Sequence, residues 1–207
     1  MSLPIRIIAV AVIAYLLGCC NGSVLTSHLM RDDVRSHGSG NAGLTNFYRT
    51  YGVRNVLLVI GCDVIKTVIA ALIGGALFGA MGDRVLGVLI AGLACALGHI
   101  FPVFFGFRGG KGILCGGTLL WFIDWRVALV AWLLFALMVL LSRYVSLGSV
   151  VSTASAPITT YFVSDGNPLH TVLCLLLAAL IIWCHRANIV RLVQGKENRF
   201  HWHKKKG

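Results

Sequence analysis

Charge is scarce in this sequence: 12% of the 207 residues are Asp, Glu, Lys or Arg, 57% are hydrophobic, and the mean hydropathy is +0.85. A water-soluble domain carries about twice that share of charge, so most of this surface is not built for water. Acidic residues are scarcer still, seven against eighteen Lys and Arg, and the net charge of +11 must sit in the short segments left outside the hydrocarbon. Such segments favour anions, either lipid headgroups or phosphorylated substrates. CxxC pairs and paired His ligands are missing. Cys19, Cys20, Cys62, Cys95, Cys115, Cys174 and Cys184 fall mostly within or beside apolar runs, which leaves no zinc spacing and makes them small buried hydrophobes. Also absent is a stripe of cations with interleaved aromatics, so nucleic acid is not a partner.

Long apolar runs take the place of all this. A membrane-crossing helix needs about 20 apolar residues, and seven candidate segments run from Leu3 to Leu29, Asn55 to Ala80, Val85 to Phe105, Gly112 to Ile123, Val127 to Leu141, Leu147 to Val163 and Leu169 to Cys184. The expected fold is an all-α, polytopic transmembrane helix bundle of about seven spans, forming a single domain over residues 1–207. The fourth, fifth and seventh segments are short for a crossing and suggest broken helices or a thinned bilayer. With seven spans, Arg31, Arg35, Arg49 and Arg54, then Arg108 and Lys111, then Arg143, and finally Lys204 to Lys206 share one side. The excess of cations there makes that side cytoplasmic and places the N-terminus outside. Leu16-Leu17-Gly18-Cys19 has the form of a lipoprotein cleavage site, but the apolar run continues past it to Leu29, which favours a spanning helix.

Three segments expected on the cytoplasmic side carry Gly, Asn, Ser, Arg, Lys and His where plain connections would serve. The first is Gly38-Ser39-Gly40-Asn41-Ala42-Gly43-Leu44-Thr45-Asn46 with Arg49 three residues on. Three glycines at that spacing let backbone N–H groups converge on an anion, and Ser, Thr and Asn add donors; a flexible connection is the plain alternative. In the second, His99 leads through Pro102 to Arg108-Gly109-Gly110-Lys111-Gly112, and two cations across two glycines suit a phosphate. His99 by itself fits a structural ring equally well, and its place beside Lys111 favours function. The third, His185-Arg186-Ala187-Asn188-Ile189 through Arg191, puts His185 and Asn188 on one helix face. Arg191, Lys196, Arg199 and the Lys tail read as a juxtamembrane anchor. Asp63 and Lys66, also three apart, are ionisable groups inside a span: functional candidates or a self-neutralising pair.

At these segments the sequence resembles the bacterial acyl-phosphate:glycerol-3-phosphate acyltransferases, the PlsY family, whose motifs look like GSGNxGxTNxxR, GHxFPxFxxFKGGKG and HRxNIxRL. Gly38 to Arg49, Gly98 to Gly112 and His185 to Leu192 follow in the same order. The departures are Arg108 for the usual Lys, Ala187 for the usual Glu, and Ala42 and Leu44 at variable positions. The resemblance implies that a fatty acyl group moves from acyl phosphate to the sn-1 hydroxyl of glycerol 3-phosphate, giving lysophosphatidic acid and phosphate. It implies catalytic roles for Ser39, Arg49, Lys111, His185 and Asn188. Substrate binding would fall to Gly38, Gly40, Asn41, Gly43, Thr45, Asn46, His99, Arg108, Gly109, Gly110 and Gly112. No cofactor or metal is implied. The implied partners are acyl phosphate, glycerol 3-phosphate, membrane lipids and other enzymes of phospholipid synthesis, at a bacterial inner membrane with the active site facing the cytoplasm.

Two rivals compete. His28 and Asp33 have the HxxxxD spacing of a different glycerolipid acyltransferase family, but no FPEG-like companion accompanies them. A transporter of a phosphorylated metabolite or anion also uses Gly-rich loops at membrane depth; uneven spans without an internal repeat count against it.

Overall fold

The computed structural model describes residues 2–200; the tail from Trp202 through Lys206 lies outside them. The described residues are helical, without strands. The chain divides into two compact units, the first ending at Ile123 and the second beginning at Asp124.

The first unit contains α1 (Leu3–Cys19), α2 (Gly22–Leu29), α3 (Leu44–Tyr51), α4 (Val56–Gly79), α5 (Arg84–Ile100) and α6 (Ile113–Ile123). Its core is built by α5 packing on α1 and α4, around Val10, Ala14, Ala70, Phe78, Ala91 and Cys95. Lipid tails are as apolar as Leu, so burial alone gives helices little reason to associate in a membrane; close backbone contact between small residues does. Gly18 lies on the Cys95 carbonyl and Gly74 on the Gly87 carbonyl, so closely that a Cβ at either would overlap backbone. The outward faces of α1 and α4 carry Ile8, Leu57, Ile65 and Leu72 as exposed residues. A second, smaller core of Val24, Val34, Ala42, Phe47 and Val59 lies under the loops between α2 and α4.

The second unit contains α7 (Trp125–Ser142), α8 (Val145–Val163), α9 (Pro168–Cys184) and α10 (Arg186–Val193). Side chains at the polar ends of these segments set their starts. Asp124 Oδ1 accepts from Arg126 N at 2.8 Å and opens α7, and Asn167 Oδ1 accepts from Leu169 N at 3.0 Å and opens α9, each taking an amide that the helix leaves unpaired.

Helices occupy all seven expected apolar segments, with two differences. The first segment is broken: α1 stops at Cys19 and α2 starts at Gly22. The fifth, expected to be short, is a full 18-residue helix because the Asp124 cap starts it earlier. Among the described residues four helical segments are long and apolar enough to cross a membrane, α1 and α2 counting together as one from Leu3 to Leu29, or up to five if α9 and α10, bent by 59°, count as one span. The expected seven exceeds this because α6 has only 11 residues and α8 is interrupted by Ser146, Ser149, Ser152, Ser155, Thr159 and Thr160.

Candidate active site

The first Gly-rich segment is held in shape by one amide side chain. Asn46, in the first turn of α3 and buried, accepts from Ser39 N at 3.0 Å and donates to the carbonyls of Val34 at 3.1 Å and His37 at 3.0 Å. Gly38 and Gly40 take positive φ values of 56° and 69°, the left-handed region that favours glycine. Ser39 stays exposed on the turn between them. Gly43 opens α3 and has no side chain with which to cap the first amides of that helix.

The second Gly-rich segment doubles back on the end of α5. Gly109 N donates to Ile100 O at 3.0 Å and Gly110 N to His99 O at 3.1 Å. A Cβ at Gly109 would overlap the His99 carbonyl, and one at Gly110 would overlap His99 Nε2, so both glycines are required by close approach. The two segments are joined: Ala42 N donates to Gly109 O at 3.3 Å, and Arg35 Nη1 donates to Phe105 O at 2.7 Å and Arg108 O at 3.4 Å. Arg35 is itself fixed by Asp33, with Nη2 at 2.8 Å from Oδ2, and this guanidinium holds the Asp33 carboxyl down at about 2. Nearby, Asp32 accepts from Tyr51 OH at 2.9 Å and meets His37 Nε2 at the same distance. Burial, followed by the hydrogen bond to Asp32, pushes the Tyr51 phenol up to about 12.

Behind Gly110 lies a buried polar cluster. Lys66 Nζ is 2.7 Å from Asp63 Oδ1 and 2.9 Å from His99 Nδ1, and all three side chains are about 95% inaccessible or more. Asp63, His99 and Cys115 offer ligand atoms within 4.8 Å of one another, but the Lys66 ammonium fills the position that a cation bound by Asp63 and His99 would take.

The second unit holds its own cluster. His185 lies where α9 ends, with Nδ1 at 2.8 Å from Ile181 O. Asn188 Nδ2 donates to Glu197 Oε1 at 2.8 Å, Ser146 Oγ donates to the same oxygen at 3.1 Å, and Arg191 Nε donates to Oε2 at 2.7 Å. Burial pushes the Glu197 carboxyl up, but the donors Asn188, Arg191 and Ser146 outweigh it and the net shift is downward.

The sequence matches the glycerol-3-phosphate acyltransferase family over residues 8–195. The chain belongs to that family. Glycerol-3-phosphate acyltransferases from Thermoanaerobacter pseudethanolicus and Aquifex aeolicus are 38% and 40% identical to it. Each match covers 91% of this chain, and 93% and 96% of theirs respectively. The crystal structure of PlsY, an integral membrane glycerol 3-phosphate acyltransferase, in its glycerol 3-phosphate form superposes with a TM-score of 0.84 at 36% identity, covering 94% of this chain and 96% of that one. Its lysophosphatidic acid form gives 0.81 at 34%.

As expected for this acyltransferase family, the chain is a multi-pass membrane protein. The structure brings together Gly38 to Asn46 with His99 and Gly109 to Gly112 in the first unit; Arg49 lies on α3, and Lys111 directly follows the two packed glycines. His185 and Asn188 stand in the second unit. Arg191, expected as a membrane anchor, pairs with Glu197. Glu197, the chain's single glutamate, was missed. A positive φ of 66° at Gly195 turns the chain back after α10 and delivers it to Asn188; one acid in a basic stretch was the available signal. The His28–Asp33 spacing puts the two side chains only loosely together, 4.0 Å apart, with Asp33 engaged by Arg35.

Proposed function

We propose that this chain transfers a fatty acyl group from acyl phosphate to the sn-1 hydroxyl of glycerol 3-phosphate, as a single acyltransferase domain serving phospholipid synthesis. The observation that carries this is the union of the two Gly-rich segments through Ala42 N and Gly109 O, in a chain 36% identical to a PlsY whose structure has a glycerol 3-phosphate form. Joined loops that carry an uncapped helix start with Ser39, Thr45, Arg49, Arg108 and Lys111 are suited to two phosphorylated substrates.

In the proposed reaction the sn-1 oxygen attacks the acyl carbonyl carbon, the bond from that carbon to the phosphate oxygen breaks, and phosphate leaves. Negative charge grows on the carbonyl oxygen and the leaving phosphate, where Lys111, Arg49 and the α3 amides lower the barrier electrostatically. His99 is ill placed as a base, since its Nδ1 faces an ammonium. His185, whose Nδ1 faces a carbonyl and therefore carries a proton, keeps Nε2 as an acceptor when neutral. We assign the hydroxyl proton to the leaving phosphate and give His185 and Asn188 orienting roles. The loops face the cytoplasm of a bacterial inner membrane, with the N-terminus outside; the cation excess supports this.

Purified protein is given labelled glycerol 3-phosphate with palmitoyl phosphate or palmitoyl-CoA, with Lys111→Ala as control. Lysophosphatidic acid is expected from palmitoyl phosphate alone and not from the variant. Product from palmitoyl-CoA alone would overturn the donor assignment. Turnover surviving His185→Gln supports the phosphate as proton acceptor, and its abolition counts against it.

A further inference from the structure

A helix that stops inside a membrane strands carbonyls at its C-terminal end and amides at the start of the next, and hydrocarbon can satisfy neither. The break between α1 and α2 strands Gly18 O, Cys20 O and Gly22 N. Helix α4 satisfies all three with two side chains one turn apart. Lys66 Nζ donates to Gly18 O at 3.1 Å and Cys20 O at 2.9 Å, and Asp63 Oδ1 accepts from Gly22 N at 3.1 Å. The signs are matched: the cation sits on the negative end of α1 and the anion on the positive end of α2. Asn21 completes the break, capping Val24 N at 3.1 Å while its Nδ2 lies 3.5 Å from His99 Nδ1.

The same ammonium reaches the Gly-rich loop through His99. An ammonium has protons and no acceptor, so at 2.9 Å from Nδ1 it favours that nitrogen presenting its lone pair, with its three protons shared among the ring, Asp63 and the two carbonyls. A neutral ring then carries its proton on Nε2, the atom packed against Gly110. We propose that Lys66, held by Asp63, is a positioning residue of the acyl transfer: it fixes the His99 tautomer and through that ring seats Gly109, Gly110 and Lys111. The groups facing His99 are Asp63 and Lys66 from α4, Asn21 from the α1–α2 break and Cys115 from α6, with Cys95 beside Thr67 on the same wall. Lys66 is the cation among them. Without it the ring faces Asp63 and takes up a proton in the neutral range.

The test reads the ring directly. Nitrogen NMR of histidine-labelled protein in detergent, with His99 identified by its loss in His99→Gln, is expected to show a neutral ring protonated on Nε2 and unchanged from pH 6 to 9. In Lys66→Met the same signal is expected to titrate within that range. The KM for glycerol 3-phosphate should rise roughly tenfold or more, with a smaller change in kcat; this last arm rests on the proposed phosphate-binding role of the loop. Asp63→Asn, which keeps an acceptor for Gly22 N, is expected to raise the KM by less while the ring, still beside Lys66 and no longer facing a carboxylate, stays neutral across that pH range; it serves where Lys66→Met does not fold. A His99 ring protonated on Nδ1 in the native protein, or a folded Lys66→Met protein with unchanged KM and no titration, overturns the proposal. A wrong donor assignment shows itself differently, as native protein inactive with palmitoyl phosphate while the tautomer still reads.

Discussion

At Cys20–Asn21 and again at His185 a membrane helix stops and restarts, and the freed backbone groups are met in opposite ways. The first break imports its partners from sequence positions more than 40 residues away, as the buried pair Asp63 and Lys66. The second is served by its neighbours: His185 N donates to Ile182 O at 2.8 Å and its ring meets Ile181 O four residues back. An imported pair ties three helices to one point, so its loss is felt in all three; a local contact fails locally. The first break also feeds the Gly-rich loops, while the second leads into a cluster centred on a single carboxylate.

The largest expected effect tests that contrast. Asp63→Ala leaves Lys66 charged, buried and short of its anion, which costs about 3–5 kcal/mol, whereas His185→Ala takes away the ring that meets Ile181 O and costs about 1–3 kcal/mol. Thermal unfolding in detergent measures both, and equal losses would erase the distinction. Next is the loop itself. Gly110→Ala drives a methyl into His99 and is expected to lower kcat/KM for glycerol 3-phosphate on the order of 100-fold. Gly61→Ala, on α4 where nothing lies within 4 Å, should leave activity intact and add about 0.5–1 kcal/mol of stability.

In the second unit, Glu197→Gln keeps an oxygen for Asn188 but drops the charge opposite Arg191. A loss of about 1–2 kcal/mol is expected from thermal unfolding, smaller than at Asp63; a larger one would make the local cluster the more demanding of the two. The smallest effect concerns pH. Asp33 titrates at about 2 in the folded chain, below the ordinary value near 4 of an unfolded carboxylate. Its pairing with Arg35 therefore contributes fully above about pH 4 and is lost as pH falls towards 2. Unfolding midpoints followed from pH 5 to 2 should show this loss in the native protein and not in Asp33→Asn.

The apolar segments were legible because span length and charge leave a coarse pattern, and the loops because glycine, Arg and Lys in close spacing have few structural uses. What could not be read depends on contacts between distant positions. The local mark at Cys20–Asn21 is slight, Asn21 as a cap before Gly22 within a run from Leu3 to Leu29 that is otherwise mostly apolar; the stronger mark is Asp63 and Lys66, which alone look like a pair neutralising itself. His99 looked ambiguous for the same reason: its partners come from α4. Glu197 sits twelve residues past His185, and only the turn at Gly195 brings it back to Asn188.

Helix α6 starts directly from the Gly109–Gly112 segment and has eleven residues, a rise of about 16 Å, roughly half the ~30 Å thickness of hydrocarbon. The bilayer beside it is therefore thin, or the loop lies sunk below the headgroups. Either way, the proposed reaction would let a water-borne phosphate and the carbonyl end of a lipid chain meet at the same depth, across a floor made from a helix too short to reach the far side.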